Sequence, residues 1–349
     1  MEKISYRFNP YTFARISAMK SLLLKQEDYD KLMKMSLPEI TKYLQEGVYK
    51  DEINTLAMKM QGLKLLENSL NMHLSKIFIK LRMISDDSTK LLMDQYLKRY
   101  DFWNLKTLLR SKVTGTDPDI VLEMLLPVGG LKKDALKRLA FKKTAREIIE
   151  SCGIISAEPF RPAIEKFEKS QDLSEIENLL DKHYYEDTTA FAEKIPAEGK
   201  LFREFFLYEF DIYNVNLMMK KIAFKLLKKD IEPYLIYSGK EIKPALLKEL
   251  NSKSTFPEFL KTLSKTSYGK ELGDLKPTED VPLLRYEVLL TSVLLKKSML
   301  LYHQHPLTVD MVLGYMFAKD IEVRNLRAII KSRALEFTDD YVKKIIVTG

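Results

Sequence analysis

An eleven-residue pattern occurs three times in this chain of 349 residues. It begins at Tyr100, at Phe210 and at Ile321. Each copy has an acidic residue, an Asn three positions later, apolar residues at one, four and five positions past the Asn, and a basic residue at six. The members are Asp101, Asn104 and Arg110, then Asp211, Asn214 and Lys220, then Glu322, Asn325 and Lys331. The Asn residues lie 110 and 111 positions apart, which indicates a duplicated supersecondary unit.

Each copy lies on a longer apolar stripe. Steps of four residues back from the Asn meet large apolar side chains in every copy: Tyr100, Tyr96 and Leu92, then Phe210, Phe206 and Phe202, then Ile321, Phe317 and Leu313. This spacing predicts one face of a helix with the Asn at its centre. Gly129 and Gly239 both stand 25 residues past the Asn, whereas the third copy stops at Gly349, one residue short of that distance. We therefore expect the three Asn residues to occupy equivalent positions in three superposable helical units.

The role of the Asn has two interpretations. A buried amide needs hydrogen-bond partners, so a continuous helix would bond its Asn to a neighbouring unit or to the glycine-containing turn. Alternatively the helix breaks there, and Asp101, Asp211 and Glu322 lie in the first turn of a new helix, where carboxylates favour the exposed amides. The sequence favours the break. Both interpretations are structural, since an Asn and a carboxylate without His, Ser or Cys lack a nucleophile and base.

Length and composition favour an all-α protein of three domains. A chain of 349 residues exceeds the size of one core, and the 110-residue period selects three units. The few glycines and prolines, 12 and 13, and the near absence of strand patterns favour helix. We expect units at residues 1–95, 96–205 and 206–349, the first completed by the C-terminal helix.

A second repeated element predicts how the chain closes. Two short helices are predicted to open with Pro and Glu, at Leu37-Pro38-Glu39 and at Phe256-Pro257-Glu258. Five residues after the end of each helix pattern stands a tyrosine, Tyr49 in the first case and Tyr268 in the second. The third unit stops before such a helix. The N-terminal copy is therefore expected to fill the gap, with residues 37–49 packed against a helix over 325–346.

Other segments give simpler expectations. The pattern predicts a helix opening at Asn9-Pro10, one long amphipathic helix over 51–84, shorter helices over 156–200, a surface loop over 266–282, a helix over Val288–Leu301 and a last helix from about Thr308. In the first of these, Tyr11, Arg15, Met19 and Lys20 match the repeat. Ala14 stands at the Asn position, so this is at best a degenerate fourth copy and no role is assigned to Ala14, whereas Arg15 is kept as a candidate structural residue, as is Arg327 of the third copy.

The search for chemistry finds no catalytic, cofactor or metal site. The chain has no phosphate-binding loop and no dinucleotide fingerprint, and its single Cys cannot form a zinc site with other cysteines. His303 and His305 fit a helix end better than a metal site, and Cys152 fits the core. The cluster Lys225 to Lys229 includes Leu226 and Leu227, so it is interpreted as the solvated face of an amphipathic helix. No stretch of eighteen apolar residues and no apolar signal core occur, so the expected location is cytoplasmic.

The motifs resemble those of one protein family. Tyr11-x-x-x-Arg15 followed by Met19-Lys20, the Asp101-x-x-Asn104 segment ending in Arg110, and Glu322-Val323-Arg324-Asn325-Leu326-Arg327 resemble the C subunit of archaeal and bacterial V-type (A-type) ATPases. The eukaryotic relative is the d subunit of the vacuolar ATPase. The resemblance covers nearly the whole chain, and its most specific part is the segment from Glu322 to Arg327.

The resemblance implies a funnel-like, all-helical protein of three similar domains around a pseudo-threefold axis, with a central cavity. It implies a non-catalytic central-stalk part on the cytoplasmic face of the membrane. The implied partners are the central-axle subunits and the membrane proteolipid ring, with no cofactor, nucleic acid or small-molecule substrate, in rotary proton or sodium transport. Two alternatives stay open: a helical-repeat scaffold for another protein, and a nucleic-acid binder, which the net charge of +8 would suit.

Overall fold

The computed structural model describes residues 10–195, 200–272, 283–304 and 309–347. Within these ranges the protein is all-helical and contains no β-strand. The α-helices are α1 (Pro10–Lys20), α2 (Gln26–Leu32), α3 (Leu37–Glu46), α4 (Lys50–Ala57), α5 (Gly62–Ile84), α6 (Asp87–Thr114), α7 (Pro118–Met124), α8 (Lys133–Ala140), α9 (Ala145–Ser151), α10 (Arg161–Ser170), α11 (Ser174–Ala192), α12 (Lys200–Ala223), α13 (Lys228–Ile231), α14 (Pro244–Asn251), α15 (Phe256–Leu263), α16 (Ser267–Leu272), α17 (Leu283–Gln304), α18 (Asp310–Ala334) and α19 (Asp339–Ile345). Short 3-10 helices occupy Glu158–Phe160 and Glu232–Tyr234. No helix in the described ranges is both long enough and apolar enough to cross a membrane.

The three copies of the repeat lie on α6, α12 and α18, and each of these helices continues through its Asn. The predicted helix break is therefore wrong. Asp101, Asp211 and Glu322 are buried in the middle of their helices, not in a first turn. A first-turn carboxylate and a mid-helix carboxylate look alike in sequence. What decides between them is that the apolar stripe runs unbroken on both sides of the Asn, so burial of one continuous face holds the helix together.

Residue contacts divide the chain into two compact units. The middle unit is Asn71–Thr188, and the composite unit joins the residues up to Leu70 with those from Thr189 onward. The middle unit contains the first copy, and the composite unit contains the second and third. The predicted boundaries at 95/96 and 205/206 both fall inside long helices, α6 and α12. The division into three domains stays a prediction.

In the middle unit, α6 packs against α7, α8 and α9. Its buried residues, such as Leu105 and Leu108, share one core with Ile148 of α9, Ile164 of α10 and Leu180 of α11. The core is aliphatic near α9, and aromatic where Phe102 meets Tyr184 with ring centroids 5.6 Å apart. Burial of this continuous apolar set is the main force that holds the six helices together.

In the composite unit, α18 packs against α17, α19, α1 and α3. The contact with α3 is the one expected from the closing of the third repeat by N-terminal helices. A hydrogen bond of 2.6 Å from the Tyr49 hydroxyl to Glu322 Oε1 joins residues 273 positions apart. The second and third copies also meet directly, through Phe205 of α12 and Phe317 of α18, whose ring centroids are 5.1 Å apart.

Several predicted segments differ from the structure. The helix expected over 51–84 is two helices, α4 and α5, because the chain turns at Met58–Gln61 and Gly62 adopts a left-handed φ of 58°. The helix expected over 325–346 is also two, since α18 ends at Ala334 and α19 begins at Asp339.

Residues 267–272 of the expected surface loop form α16, and the rest of that loop lies outside the described residues. The described structure agrees with α1 opening at Pro10 and with shorter helices after residue 156. The proposed start at Thr308, the residue His305 and the side chain of His303 lie outside the described residues.

Candidate functional site

The three repeated Asn side chains make the same two hydrogen bonds. In each copy Nδ2 donates to the carbonyl, and Oδ1 accepts from the amide, of the residue 22 positions later. The pairs are Asn104 with Leu126 (2.7 and 2.8 Å), Asn214 with Ile236 (2.7 and 2.9 Å) and Asn325 with Val347 (2.7 and 2.8 Å). The Asn residues are 0–1% exposed. Each amide therefore supplies both partners that a buried extended residue needs, and it fixes the returning chain to the long helix.

The acidic residue three positions earlier holds a second segment of backbone. Asp101 accepts hydrogen bonds from the amides of Gly130 (2.7 Å) and Leu131 (2.8 Å). Asp211 accepts from the amides of Glu241 (2.7 Å) and Ile242 (3.2 Å). We call the acidic residue and the Asn of one copy an anchor: Asp101 and Asn104 form the first anchor, Asp211 and Asn214 the second, and Glu322 and Asn325 the third.

The glycines predicted from their spacing stand directly against two of these carboxylates. A Cβ atom on Gly129 would overlap the Asp101 carboxylate, and one on Gly239 would overlap that of Asp211. The carboxylate can reach the following amides only because the preceding residue has no side chain. The glycine repeat therefore serves a close approach of backbone to the anchor.

The third anchor draws its partners from the N-terminal end of the chain. Glu322 Oε2 accepts from the Leu24 amide at 2.7 Å, and Oε1 accepts from the Tyr49 hydroxyl. Lys319, one turn earlier on α18, places its Nζ 2.5 Å from Oε1 with its side chain 3% exposed. In a site this dry, the ammonium and the hydrogen bonds together offset the cost of burying the Glu322 charge.

A tyrosine hydroxyl also reaches the second anchor. Tyr268 donates to Asp211 Oδ2 at 2.9 Å. Tyr49 and Tyr268 are therefore equivalent, as the two Pro-Glu helices that precede them suggest. Burial and the nearby carboxylate raise the pKa of the Tyr268 hydroxyl, and burial and Glu322 raise that of Tyr49, so both stay protonated donors.

Burial governs the charge state of the first two acids. It raises the pKa of Asp211 to about 6, although the two amides and the Tyr268 hydroxyl act in the opposite direction. It also raises the pKa of Asp101, against the effect of the Leu131 and Gly130 amides. These are structural carboxylates, since each already accepts from backbone and the anchors contain no nucleophile.

The basic residue six positions past each Asn forms an ion pair with the next long helix. Arg110 binds Glu177 through two hydrogen bonds of 2.6 and 2.7 Å. Lys220 lies 3.7 Å from Glu287, and Lys331 lies 3.0 Å from Glu67. The three Glu residues are themselves 110 positions apart in sequence. The repeat therefore extends to α5, α11 and α17, although such exposed pairs contribute little stability.

The other two predicted site residues are less informative. Arg327 is half-buried on α18. Arg15 is exposed on α1, and Ala14, at the Asn position of the degenerate copy, is exposed as well. Neither residue of α1 takes part in an anchor. The resemblance of this N-terminal segment to the repeat is confined to sequence.

A repeated feature at the ends of the three helices escaped the sequence reasoning. Gly115, Lys225 and Glu336 each stand eleven residues past the Asn and adopt left-handed φ values of 65°, 53° and 57°. The next amide in each copy bonds back to a helical carbonyl: Thr116 to Ser111, Leu226 to Lys221 and Phe337 to Ser332. This is the Schellman arrangement that ends a helix. The 110-residue period was the available signal, but only the first copy has the expected glycine.

These helix ends also expose apolar side chains. Lys225 to Lys229 do not form a turn of an amphipathic helix, because α12 ends at Ala223 and leaves Phe224 67% and Leu227 58% exposed. In the third copy, Leu335 is 65% exposed and Phe337 42%. In the first copy, the exposed apolar residues near the helix end are Val113, Ile120 and Met124. Phe224 and Leu335 both stand ten residues past the Asn, so the second and third copies share an exposed apolar side chain at this position, as is typical of contact surfaces.

Among the described residues, no group of three or more His, Cys, Asp or Glu side chains could hold a metal ion. Cys152 is buried and donates from Sγ to the Ile149 carbonyl, as expected for a core cysteine. The anchors are therefore the most distinctive polar arrangement in the described protein, and their chemistry is that of holding backbone in place.

Residues 12–345 match the sequence profile of the ATP synthase (C/AC39) subunit family. The chain belongs to this family. It is similar to the A-type ATP synthase C subunit of Methanosarcina mazei, with 34% identity over 97% of this chain and 92% of the relative. It is also similar to that of Methanosarcina barkeri, at 34% over the same shares, and of Haloquadratum walsbyi, at 31% over 96% and 97%. The C/AC39 family consists of non-catalytic ATP synthase subunits.

Proposed function

We propose that the protein is the coupling subunit of the central stalk of an A/V-type ATP synthase. In this role it links the rotor axle subunits to the membrane proteolipid ring on the cytoplasmic side. It serves the rotary transport of protons or sodium ions and the synthesis of ATP, without chemistry of its own. Membership of the C/AC39 family supports a place in the complex. The finer role rests on what the anchors do mechanically.

The observation that carries the proposal is the threefold repetition of one buried, hydrogen-bonded anchor. A part that transmits torque must resist shear between its helices. In each of the first two copies, the anchor fixes two returning backbone segments to a long helix with four hydrogen bonds. Hydrogen bonds in a dry site are short and directional, so they limit sliding more than apolar packing does.

The repetition also supports three similar units around a pseudo-threefold axis, forming a funnel with a central cavity. In this proposal the sequence units are 1–95, 96–205 and 206–349, and the first is completed by the C-terminal helix. The anchors favour three units because each unit then has one anchor: the third anchor on α18 completes the first unit, the first anchor lies in the second unit, and the second anchor lies in the third unit. Three equivalent copies suit a part that rotates with a ring of repeated subunits.

The exposed apolar side chains at the helix ends provide surface for such partners. Phe224, Leu227 and Leu335 are more than half exposed, and water contact with apolar side chains of this size is unfavourable. Burial against another protein of the complex would remove that cost. We propose that the helix ends of the second and third copies contact other subunits of the complex.

Purification of the complex tests the coupling role. With an affinity tag on this chain, the axle subunits and the proteolipid ring should copurify at a fixed ratio. In membranes that lack the chain, the catalytic head should still hydrolyse ATP, but ion pumping driven by that hydrolysis should be lost. Normal pumping without the chain would contradict the proposal.

A pair of variants tests the contact surface. Leu227→Glu and Leu335→Glu place a charge on an exposed apolar position, so they should leave folding intact and reduce copurification of at least one partner. Met58→Glu is the matched control, because Met58 is 90% exposed in the turn between α4 and α5. Equal recovery of all three complexes would contradict the surface assignment. Tight, steeply salt-dependent binding of the purified chain to nucleic acid would instead favour the nucleic-acid alternative.

A further inference from the structure

The first anchor lacks the tyrosine that the second and third anchors have. Tyr49 and Tyr268 each stand thirteen residues past the N-cap of a short helix, Ser36 for α3 and Thr255 for α15. In the middle unit the corresponding helix is α9, with Thr144 at its N-cap. Thirteen residues further on, the chain has Ala157. By this count along the chain, an alanine takes the position that a tyrosine has in the other two copies.

A pocket of about 310 Å³ lies beside the first anchor. Asp101 and Gly130 line it together with the apolar side chains of Phe102 and Ile154, and charged side chains such as Arg82 form other parts of its wall. This volume is at the lower end of the range for ligand-binding sites in proteins. The other copies fill the space next to the carboxylate with their own tyrosine, whereas the first copy leaves it open.

The carboxylate at this pocket has capacity for a further donor. In the second anchor, Asp211 Oδ2 accepts from both the Glu241 amide and the Tyr268 hydroxyl. In the first anchor, the described donors to Asp101 are the Gly130 amide at Oδ2 and the Leu131 amide at Oδ1. A buried carboxylate oxygen can accept more than one hydrogen bond, so Oδ2 can take a hydroxyl.

Lys98 lines the same pocket. In the third copy, Lys319 precedes the acidic residue by three positions and places its Nζ 4.7 Å from the centre of the Tyr49 ring. Lys98 occupies the equivalent position before Asp101 and lines the pocket. Its Nζ pairs with Asp187 at 2.7 Å, with the side chain 42% exposed. An ammonium at this position can contact the face of a bound aromatic ring.

We propose that this pocket binds the phenol side chain of a tyrosine presented by another protein chain. The hydroxyl donates to Asp101 Oδ2, the ring packs against Phe102 and Ile154, and Lys98 lies at its face. The occupant is a tyrosine because that residue fills the equivalent space in both of the other copies. The proposal is independent of the coupling role, since the pocket is a property of the middle unit alone.

Ligand-observed NMR titration of the full chain tests the chemistry. The probes are p-cresol, which has the tyrosine ring and hydroxyl, and toluene, which lacks only the hydroxyl. We expect saturable binding of p-cresol and binding of toluene at least fivefold weaker, because the hydrogen bond to the carboxylate is lost. Equal binding of the two probes, or no binding of either, would overturn the proposal.

Variants place the binding in this pocket. Ile154→Trp enlarges a side chain on the wall of the pocket, and should reduce p-cresol binding at least tenfold. Ile79→Trp, at an exposed position of α5, is the matched control and should leave binding unchanged. If Ile154→Trp does not fold, Lys132→Trp should block the pocket from another wall. Unchanged binding in a folded pocket variant would overturn the assignment.

A second pair of probes distinguishes a protein tyrosine from a free phenol. N-acetyl-tyrosinamide carries peptide groups on both sides of the side chain, and N-acetyl-phenylalaninamide differs by the hydroxyl alone. The tyrosine derivative should bind at least as tightly as p-cresol, and the phenylalanine derivative at least fivefold more weakly. Binding of p-cresol without binding of the tyrosine derivative would mean that the pocket admits only small phenols, which overturns the proposal.

Discussion

At the scale of single residues, the Asn amides are the part of the fold that tolerates least change. Asn214→Leu leaves both the amide and the carbonyl of Ile236 buried without their partner. We expect the free energy of unfolding to fall by about 1–3 kcal/mol, as measured by urea denaturation.

Asn216, on the same helix, is the matched control, since its Oδ1 is buried and has no hydrogen-bond partner among the described residues. Asn216→Leu should change the free energy of unfolding by less than about 1 kcal/mol. Equal losses for the two variants would show that side-chain volume, and not the paired hydrogen bonds, sets the stability of this helix.

The charge of Asp211 makes stability depend on pH. Its folded-state pKa is about 6, above the ordinary value of 3.8. The folded protein therefore disfavours the ionised form, and the contribution of this group to stability falls as the pH rises from about 4 to 6. Relative to Asp211→Asn, the wild-type free energy of unfolding should fall by about 2–3 kcal/mol between pH 4 and pH 7. Urea denaturation of both proteins across this range measures the difference.

Asp187 provides a control of opposite sign. Burial raises its pKa, but hydrogen bonds from Lys98 and Gln95 outweigh that effect, so the net shift is downward. The wild type should therefore gain stability over Asp187→Asn as the pH rises through the acidic range. A pH-independent difference between wild type and Asp211→Asn would contradict the account of the second anchor.

The sequence predicted which residues form the anchors, and one of its two interpretations bonded the Asn to the glycine-containing turn, but it did not identify the bonded residues. Period and spacing identified Asn104, Asn214 and Asn325, because all three copies need a side-chain amide at the same position of the long helix. Their partners are backbone groups, and backbone amides and carbonyls are the same at every position. Asp101 gave the same signal as a first-turn carboxylate, so the helix break was predicted where the helix continues. The pocket beside Asp101 was not predicted, because an open space next to a side chain gives no local signal in the sequence.

At the scale of helices, a glycine at the repeated left-handed position should stabilise the protein where the chain has another residue. Lys225 ends α12 with a φ of 53°, where the Cβ of any residue other than glycine is strained. Lys225→Gly should therefore raise the free energy of unfolding by about 0.5–1 kcal/mol. Ala223→Gly, two residues earlier and still helical, should lower it by up to about 1 kcal/mol. Destabilisation by both changes would contradict the Schellman arrangement at this end.

The same helix ends mark the limit of sequence prediction for elements. Gly115 is readable as a helix stop, but Lys225 and Glu336 are not, because neither residue type favours a left-handed φ. The period of the repeat compensates for the missing glycines only once the first copy is known. Gly62 had the opposite effect: its place within a long amphipathic pattern concealed the turn that separates α4 from α5. Apolar periodicity continues through short turns, so it overestimates helix length.

At the scale of the whole molecule, the third copy depends on both ends of the chain. Its long helix, α18, comes from the C-terminal part, and the groups that complete its anchor come from Leu24 and Tyr49. The ion pair between Lys331 and Glu67 continues the same pattern onto α5. Sequence reasoning predicted this closure because the Pro-Glu helix of the second unit has a counterpart near the N-terminus, at Leu37-Pro38-Glu39. It could not assign Glu322 to Tyr49, since nothing in the spacing relates residues so far apart.

Such a closure predicts that the covalent link between α4 and α5 is dispensable once the protein has folded. The turn at Met58 is the place to cut it, because Met58 is 90% exposed. With a protease recognition sequence inserted after Met58, the cleaved chain should still elute from a sizing column as one species of the uncleaved size. The N-terminal fragment keeps its contacts with α18 through α1 and α3.

The strength of that association should depend on the third anchor. Glu322→Ala removes the acceptor for both Leu24 and Tyr49, and it leaves the Lys319 charge buried without its partner. Cleavage of this variant should release the N-terminal fragment, whereas cleavage of the otherwise wild-type chain should not. Tyr43→Phe is a suitable control, because its hydroxyl bonds to Asp28 within the same fragment. Separation of the fragments in every variant would mean that the contacts between the N-terminal helices and α18 are too weak to keep the cleaved fragments associated. The termini would then be joined by the chain alone, and the third copy would not be a closed unit.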